Sequence, residues 1–265
     1  MITVADIFCA GGLFSSGFKM EGFENIFGID INANACKTYQ YNYPNAKVIN
    51  ADVQQFQDYP YADVYIGSPP CNEFSVGNNN RTFDYSLIER FIEIVKQVKP
   101  KFYVMENVPD VTTLEFMEKY SYFFPNMQML SGCSFGAATT RTRFFGGNYP
   151  KVKATTLKPT SVQEVININR AGYRQPYKEN VYRKIDPTKP FGVICSQRIS
   201  NQRWLLPNGT SLSVLEMAKL HGVPDWYVFP CSPSEMERQI GLSVCPPVSR
   251  AIAAVIKAQF NMSEK

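Results

Sequence analysis

Two short apolar runs open the chain, residues 2–8 (ITVADIF) and 25–31 (NIFGIDI), separated by a glycine-bearing turn and a stretch compatible with a helix. Runs of this length and composition read as buried strands, and their order, strand then helix then strand, is the start of a βαβ unit. The alternation continues. Further strands are expected at 47–50, 62–66 and 102–106, the last preceded by a strongly apolar helical pattern from Leu87 to Val98 with Pro100 just beyond its end. Strands that alternate with helices in this way predict an α/β fold, a doubly wound and mostly parallel sheet with helices on both faces. Ligands of such sheets bind beyond the carboxyl ends of the strands. Asp6, Asp30, Asp52, Cys71 and Glu106 all fall at those ends or just after them.

After Tyr149 the periodicity weakens, and Pro, Asn, Tyr and basic residues dominate to about residue 210. A helix is then expected over 211–221, stopped by Gly222 and Pro224, and a closing helix over 248–260. The expected division is a larger unit made of 1–149 and 232–265, and a small irregular lobe of 150–231. Charge divides along similar lines. From Arg141 to Thr210 there are thirteen basic residues (Arg141, Arg143 and Arg198 among them) and three acidic ones. That segment carries a surplus of ten positive charges, whereas the rest of the chain has six more negative than positive. Segregation on this scale points to a polyanion-facing lobe, because each neutralised phosphate releases condensed counterions.

The single histidine, His221, excludes Ser-His-Asp and Cys-His catalysis and most zinc hydrolases, which need imidazole as base or ligand. It is read as a helix-end residue stabilised by the negative end of the helix dipole, with no catalytic role. Seven cysteines, odd in number and never closely paired, fit neither a metal knuckle nor a secreted disulfide framework. No metal site is expected. Residues 251–260, the most apolar late stretch, are too few to span a bilayer and are interrupted by Lys257. A cytoplasmic protein without a membrane partner is expected. There is no G-x-G-x-x-G and no Walker loop to support a dinucleotide or triphosphate site.

Three segments carry chemistry. In Gly67-Ser68-Pro69-Pro70-Cys71 two prolines fix the backbone before a cysteine and hold it out of regular structure. In Met105-Glu106-Asn107-Val108-Pro109 a carboxylate ends an apolar strand, where desolvation would raise its pKa and keep a proton available. Arg141-Thr142-Arg143 offers cations that donate hydrogen bonds and never lose charge. Asp30 and Asp52 follow the glycine turn as an adenosyl moiety requires, one carboxylate for ribose hydroxyls and one for the base. Each element alone has a structural explanation at least as good as a functional one.

Together and in this order they resemble the cytosine-C5 DNA methyltransferases. DIFCAGGLFSSGF is similar to that family's cofactor loop, FGIDINANACKTYQYNYP to its second-strand motif, and ADV to its third. GSPPCNEFS resembles the nucleophile loop, MENVP the Glu-Asn-Val motif and TTRTRFF the paired-arginine motif. SLSVLEMAKLHGVPDWYVF resembles the helix after the recognition region, and RQIGLSVCPPVSRAIA the closing motif. The resemblance implies the S-adenosylmethionine-dependent methyltransferase fold with a small target-recognition lobe. It implies that Cys71 thiolate adds to C6 of a flipped-out cytosine while Glu106 protonates or hydrogen-bonds N3. Arg143 would hold the cytosine O2, and Arg141 would support Glu106 or a phosphate. For S-adenosylmethionine it implies Phe8, Ala10, Gly11, Gly12, Asp30, Ile31, Asp52, Val53, Pro70 and Ser243. Asn107, Gln197, Arg198, Gln202, Arg203 and Trp204 are nominated for DNA by side-chain type, Trp204 being equally well read as lobe core. The expected partners are double-stranded DNA and a cognate restriction endonuclease, with the protein acting as a monomer.

The sequence departs from the pattern at Asn72, Thr139, Asp30 and Leu242, where glutamine, glutamine, glutamate and asparagine are usual. In the cofactor loop an ungapped register puts Ala10 and Leu13 at usual glycine positions, and a small shift would instead use Gly11 and Gly12. Two other readings stay open: an RNA (tRNA) cytosine-C5 methyltransferase with the same mechanism, and a non-catalytic DNA-binding homologue.

Overall fold

The structure is a computed structural model, and it describes residues 1–70, 85–109, 115, 117–156, 158–169, 181–194, 202–207, 209 and 212–263, with backbone alone at 181–184, 202–205 and 263. The first half alternates as the apolar runs require: β1 (Thr3–Ile7), α1 (Leu13–Met20), β2 (Glu24–Asp30), α2 (Ala33–Asn42), β3 (Lys47–Asn50), β4 (Val64–Gly67), α3 (Ser86–Val98) and β5 (Phe102–Asn107). An antiparallel pair follows, β6 (Asn126–Ser131) and β7 (Thr142–Gly147). Beyond it come β8 (Val181–Lys184), β9 (Gln202–Leu205), α4 (Val214–His221), α5 (Pro233–Leu242) and α6 (Pro246–Ser263).

Seven strands form one sheet in the order β3-β2-β1-β4-β5-β7-β6, in which β1 to β5 are parallel and β7 runs antiparallel to both of its neighbours. The chain winds outward from β1 to β3, then crosses back to β4 and winds the other way. The switch between β1 and β4 leaves a crevice above their carboxyl ends, where open α/β sheets hold ligands.

Alternate strand residues serve opposite faces. Val4, Val64, Ile66 and Val104 share a buried cluster with Phe14 and Phe18 of α1 and Val248, Ile252 and Ile256 of α6. Ala5, Ile7, Tyr65 and Met105 pack instead with Ile88, Phe91, Ile92 and Val95 of α3, whose spacing makes one apolar helical stripe. Lys99, left-handed at φ 54°, ends α3 immediately before Pro100.

A third cluster joins Val162, Ile166, Ile185, Phe191, Ile194 and Leu206 to Met217 and Leu220 of α4 and Met236 and Ile240 of α5. Within this region β8 and β9 pair in parallel. Helix α4 starts three residues later than its periodicity predicts, because Ser213 takes the cap position: its hydroxyl accepts from the Glu216 amide (3.2 Å) while Glu216 accepts from the Ser213 amide (2.9 Å). Gly222, at φ 81°, closes it. Among the described residues no single helix is long and apolar enough to cross a membrane.

Candidate active site

The loop after β1 turns sharply, because Phe8 (φ 61°), Ala10 (φ 45°) and Gly12 (φ 90°) are all left-handed. Leu13 is the first residue of α1 and needs no such freedom. Of the two positions at which glycine is usual in the ungapped register, Ala10 is held in a conformation that usually favours glycine and Leu13 is not. Gly11 and Gly12 are required for another reason. A Cβ on Gly11 would stand 2.7 Å from Gln239 Oε1 and 3.0 Å from the Tyr227 hydroxyl, and one on Gly12 would meet the Tyr43 and Tyr39 rings at 2.5 and 2.7 Å.

Asp30 ends β2 and ties this loop down. Its Oδ2 accepts from the Ala10 amide (2.9 Å) and its Oδ1 from the Asn32 amide (2.8 Å), so each oxygen keeps acceptor capacity for a hydroxyl. Next to it Ile31 presents an apolar side chain that is 72% exposed. Asn50 Nδ2 holds this corner by donating to the Asp30 and Ile31 carbonyls (3.1 and 2.9 Å). Asp52 lies two residues beyond β3 with Oδ1 accepting from the Gln54 amide (2.9 Å), and Val53 is buried beneath. A carboxylate with spare acceptors, an exposed apolar platform and a second carboxylate match ribose, adenine ring and exocyclic amine. Gln239 Oε1, buried without a partner, faces the glycine loop from the other side. These residues fit an adenosyl group.

Beneath the loop lies Asp6, almost wholly buried, which accepts from the Ser15 hydroxyl (2.7 Å), itself 2.9 Å from the Tyr39 hydroxyl. Burial pushes the Asp6 carboxyl up from 3.8 to about 8 against the Ser15 bond, with Asp30 adding to the rise. The folded state therefore holds a proton that the unfolded chain releases above its ordinary pKa, and this contribution to stability is lost as pH rises through the folded value. Asp6→Asn removes it. Between pH 4 and 8 the wild type should lose stability relative to the variant by up to about 1.4 kcal/mol per pH unit, read as the difference between two urea unfolding series. Parallel profiles would contradict the assignment.

The second half of the site stands at the ends of β5 and β7. Glu106 is 5% exposed, and its Oε1 lies 3.2 Å from Arg143 Nε on the antiparallel neighbour. Burial raises the Glu106 pKa above its ordinary value, while Arg143, Arg141 and a bond from Ser68 oppose the rise. A carboxyl so placed keeps a proton more readily than one in water and can donate it. Arg143 Nη1 also donates to the Thr142 carbonyl (2.8 Å). Arg141 is buried, donating to the Ile194 carbonyl (3.2 Å) and the Gly241 carbonyl (2.8 Å). Of the two roles the sequence leaves open for it, burial favours support of Glu106, since a phosphate could not reach it.

Asn107, nominated for DNA, is 2% exposed: its Nδ2 donates to the Pro69 carbonyl (3.3 Å) and its Oδ1 accepts from the Val108 amide (2.8 Å). It pins the Gly67–Pro70 loop. One expectation needs correction. His221 is fully buried, and burial, reinforced by Arg141, holds its pKa well below the ordinary value. A neutral ring gains nothing from a helix dipole. Its Nε2 lies 3.0 Å from the Ser243 hydroxyl.

The fold thus gathers Phe8, Ala10, Gly11, Gly12, Asp30, Ile31, Asp52 and Val53 on one side of the switch point. Glu106, Arg141 and Arg143 gather on the other, and the loop ending at exposed Pro70 runs between them. Cys71, Gln197 and Arg198 lie outside the described residues. Gln202, Arg203 and Trp204 are on the β9 backbone in the small lobe, and Ser243 follows α5. Sequence reasoning missed Gln239, Ser68 and Asn50 as members of the site. Gln239 and Ser68 lie inside quoted motifs, and their chemistry is set by what they face.

The model of the C-5 cytosine-specific DNA methylase family matches residues 2–146 and 136–258. The chain belongs to that family. This cytosine methylase is 26% identical over 329 aligned positions to the type II methyltransferase M1.HphI of Haemophilus parahaemolyticus, covering 98% of this chain and 88% of that protein. It is 32% identical over 164 positions to M.DdeI of Desulfomicrobium norvegicum, covering 54% and 40%. Among solved structures, its fold matches a protein encoded within an Escherichia coli prophage and described as a DNA modification methyltransferase. There the TM-score is 0.80 at 19% identity, over 98% of this chain and all of that one. The Dnmt2 methyltransferase of S. pombe matches at 0.74 and 15% identity, over 98% and 99%. The activity is that of a DNA cytosine-C5 methyltransferase, and family and fold imply S-adenosylmethionine as the donor.

Proposed function

We propose that Cys71 is the nucleophile of this enzyme and that Glu106, Arg143 and Arg141 activate the cytosine. C5 of cytosine is a poor nucleophile and has to be activated from the neighbouring atom. Addition of the Cys71 thiolate to C6, with Glu106 protonating or hydrogen-bonding N3, turns the ring into an enamine with a nucleophilic C5. The observation that carries this reading is the buried Glu106–Arg143 pair at 3.2 Å. A carboxyl between low dielectric and a fixed cation can hand over a proton and be stabilised as an anion afterwards. Arg143 would hold the cytosine O2, Arg141 would keep Glu106 in place, and a base would remove the C5 proton before the thiolate leaves.

Phe8, Ala10, Gly11, Gly12, Asp30, Ile31, Asp52, Val53, Pro70 and Ser243 would hold S-adenosylmethionine, with Asp30 on the ribose hydroxyls and Asp52 toward the base. When bound, it supplies an electrophilic methyl group. The reacting ring atoms are stacked in a duplex, so the target base has to be flipped into the crevice. The lobe of 150–231 would grip duplex DNA through its basic surplus, with Gln197, Arg198, Gln202, Arg203 and Trp204 as base-edge or intercalating residues. The catalytic unit would be 1–149 with 232–265, working as a monomer in the cytoplasm beside a cognate restriction endonuclease.

Transfer of tritiated methyl groups from S-adenosylmethionine to mixed-sequence duplex DNA and to folded tRNA tests the substrate. Incorporation into DNA at least about tenfold above tRNA is expected, since both polymers offer phosphates but only one would offer the base context the lobe reads. Incorporation into tRNA alone would move the same chemistry to RNA.

A further inference from the structure

His221 lies behind the site and takes no part in the chemistry above, yet its ring is fully buried and bonded at both nitrogens. The Ser243 hydroxyl has one proton, and it donates to the Ile240 carbonyl at 2.8 Å. Its Oγ also lies 3.0 Å from His221 Nε2, and the Cys245 Sγ lies 3.6 Å from Nδ1, the ring tautomer setting which atom donates in each pair. One neutral imidazole at the end of α4 is thereby tied to both sides of the turn that joins α5 to α6.

That turn braces both halves of the site. One turn of α5 before Ser243, Gln239 closes on Gly11 of the cofactor loop. The Gly241 carbonyl, between Ile240 and Ser243, receives Arg141 at 2.8 Å. On the far side of the turn the Ser249 hydroxyl donates to the Phe14 carbonyl of α1. Gly222, next to His221, lies so close to Pro247 that a Cβ there would stand 2.6 Å from its ring.

We propose that His221 is a positioning residue for the cofactor site, acting through the hydrogen bond between its Nε2 and the Ser243 hydroxyl to hold the α5 end, and with it Gln239 and Gly11, in register. The inference rests on the cytosine-methylase reading of the site. A residue that only filled the core would affect stability and leave the affinity of folded molecules unchanged.

The test is binding of S-adenosylmethionine by isothermal titration calorimetry, beside thermal melts of each variant and the split between KM for S-adenosylmethionine and kcat. His221→Asn, which loses the hydrogen-bonding nitrogen at the Nε2 position, should bind about tenfold more weakly. His221→Gln, which returns an N–H near that position, should recover most of the loss. Ser243 is itself among the residues that would hold S-adenosylmethionine, so Ser243→Ala serves in the double variant, while Cys245→Ala, which removes the partner of Nδ1, should weaken binding in the same direction even where His221→Asn folds poorly. The double variant should be no weaker than His221→Asn alone, as expected for two residues sharing one bond. In all of them KM rises more than kcat falls. Wild-type affinity in Cys245→Ala, or in a folded His221→Asn, overturns the proposal. Failure of the wild type itself to bind S-adenosylmethionine overturns the site reading on which it rests, and so is told apart.

Discussion

Replacing Glu106 with glutamine lowers methyl transfer to DNA by roughly a hundredfold to ten-thousandfold, the range that a positioned general acid contributes. Glutamine keeps the shape and a hydrogen bond to N3 but has no proton of the required acidity to give. The same change leaves Arg143 without its carboxylate 3.2 Å away, in a place where an unpaired charge is costly. Stability should therefore fall as well, and turnover has to be compared at a temperature where both proteins are folded. Binding of S-adenosylmethionine should survive, because Glu106 lies across the crevice from Asp30 and Asp52. Near-normal turnover with glutamine would remove Glu106 from the chemistry.

Replacing Gly17 with alanine should give a large loss of stability from a single methyl group. Gly17 sits in α1 where α6 crosses it, and a Cβ there would stand 2.2 Å from the Arg250 amide nitrogen and 2.4 Å from the Ser249 hydroxyl. The nearest atom belongs to backbone, so it cannot swing aside as a side chain can. The helices must separate, which loosens Phe14 and Phe18 against Val248 and Ile252. A loss of about 3 kcal/mol is expected from overpacking, or roughly 6–12 °C in the melting temperature of a chain of this size. Alanine is the better helix former, so a variant as stable as the wild type would mean that α1 and α6 do not cross as described.

The parallel half of the fold was legible because its strands are short and, apart from the edge strand β3, largely apolar and buried, so most announce themselves by composition. Lys47–Asn50 coincides with expectation, and 102–106 differs from β5 by one residue. The antiparallel pair was not legible. β6 (NMQMLS) is half polar, and β7 ends in Gly146-Gly147, a poor strand by propensity. Gly147 is there because a Cβ would stand 2.1 Å from the Tyr103 carbonyl oxygen, a requirement of close approach that no local pattern carries. α5 was missed because its composition is largely polar, and its Ser232 cap with Pro233 at the first turn was the available signal.

The site shows the same division. Asp30 and Glu106 could be nominated because each falls at the end of an apolar strand, a position that can be read along the chain, and Arg143 because its charge stands in a segment that resembles the paired-arginine motif. His221 was misread for the opposite reason. A histidine beside a helix-stopping glycine suggests an exposed cation, and only the packing of α4 against the α5–α6 turn shows a neutral buried ring.

The most direct test of the covalent mechanism uses duplex DNA in which cytosines are replaced by 5-fluorocytosine, incubated with the protein and S-adenosylmethionine and examined by mass spectrometry after denaturation. Fluorine at C5 cannot leave as a proton does, so attack through C5 strands the enzyme on its substrate. A denaturation-resistant protein–DNA adduct that disappears in Cys71→Ala is the predicted result, and the sequence around the modified base would give the target. An adduct that persists in Cys71→Ala, or a folded wild-type protein that methylates cytosine in DNA but forms no adduct, would contradict it.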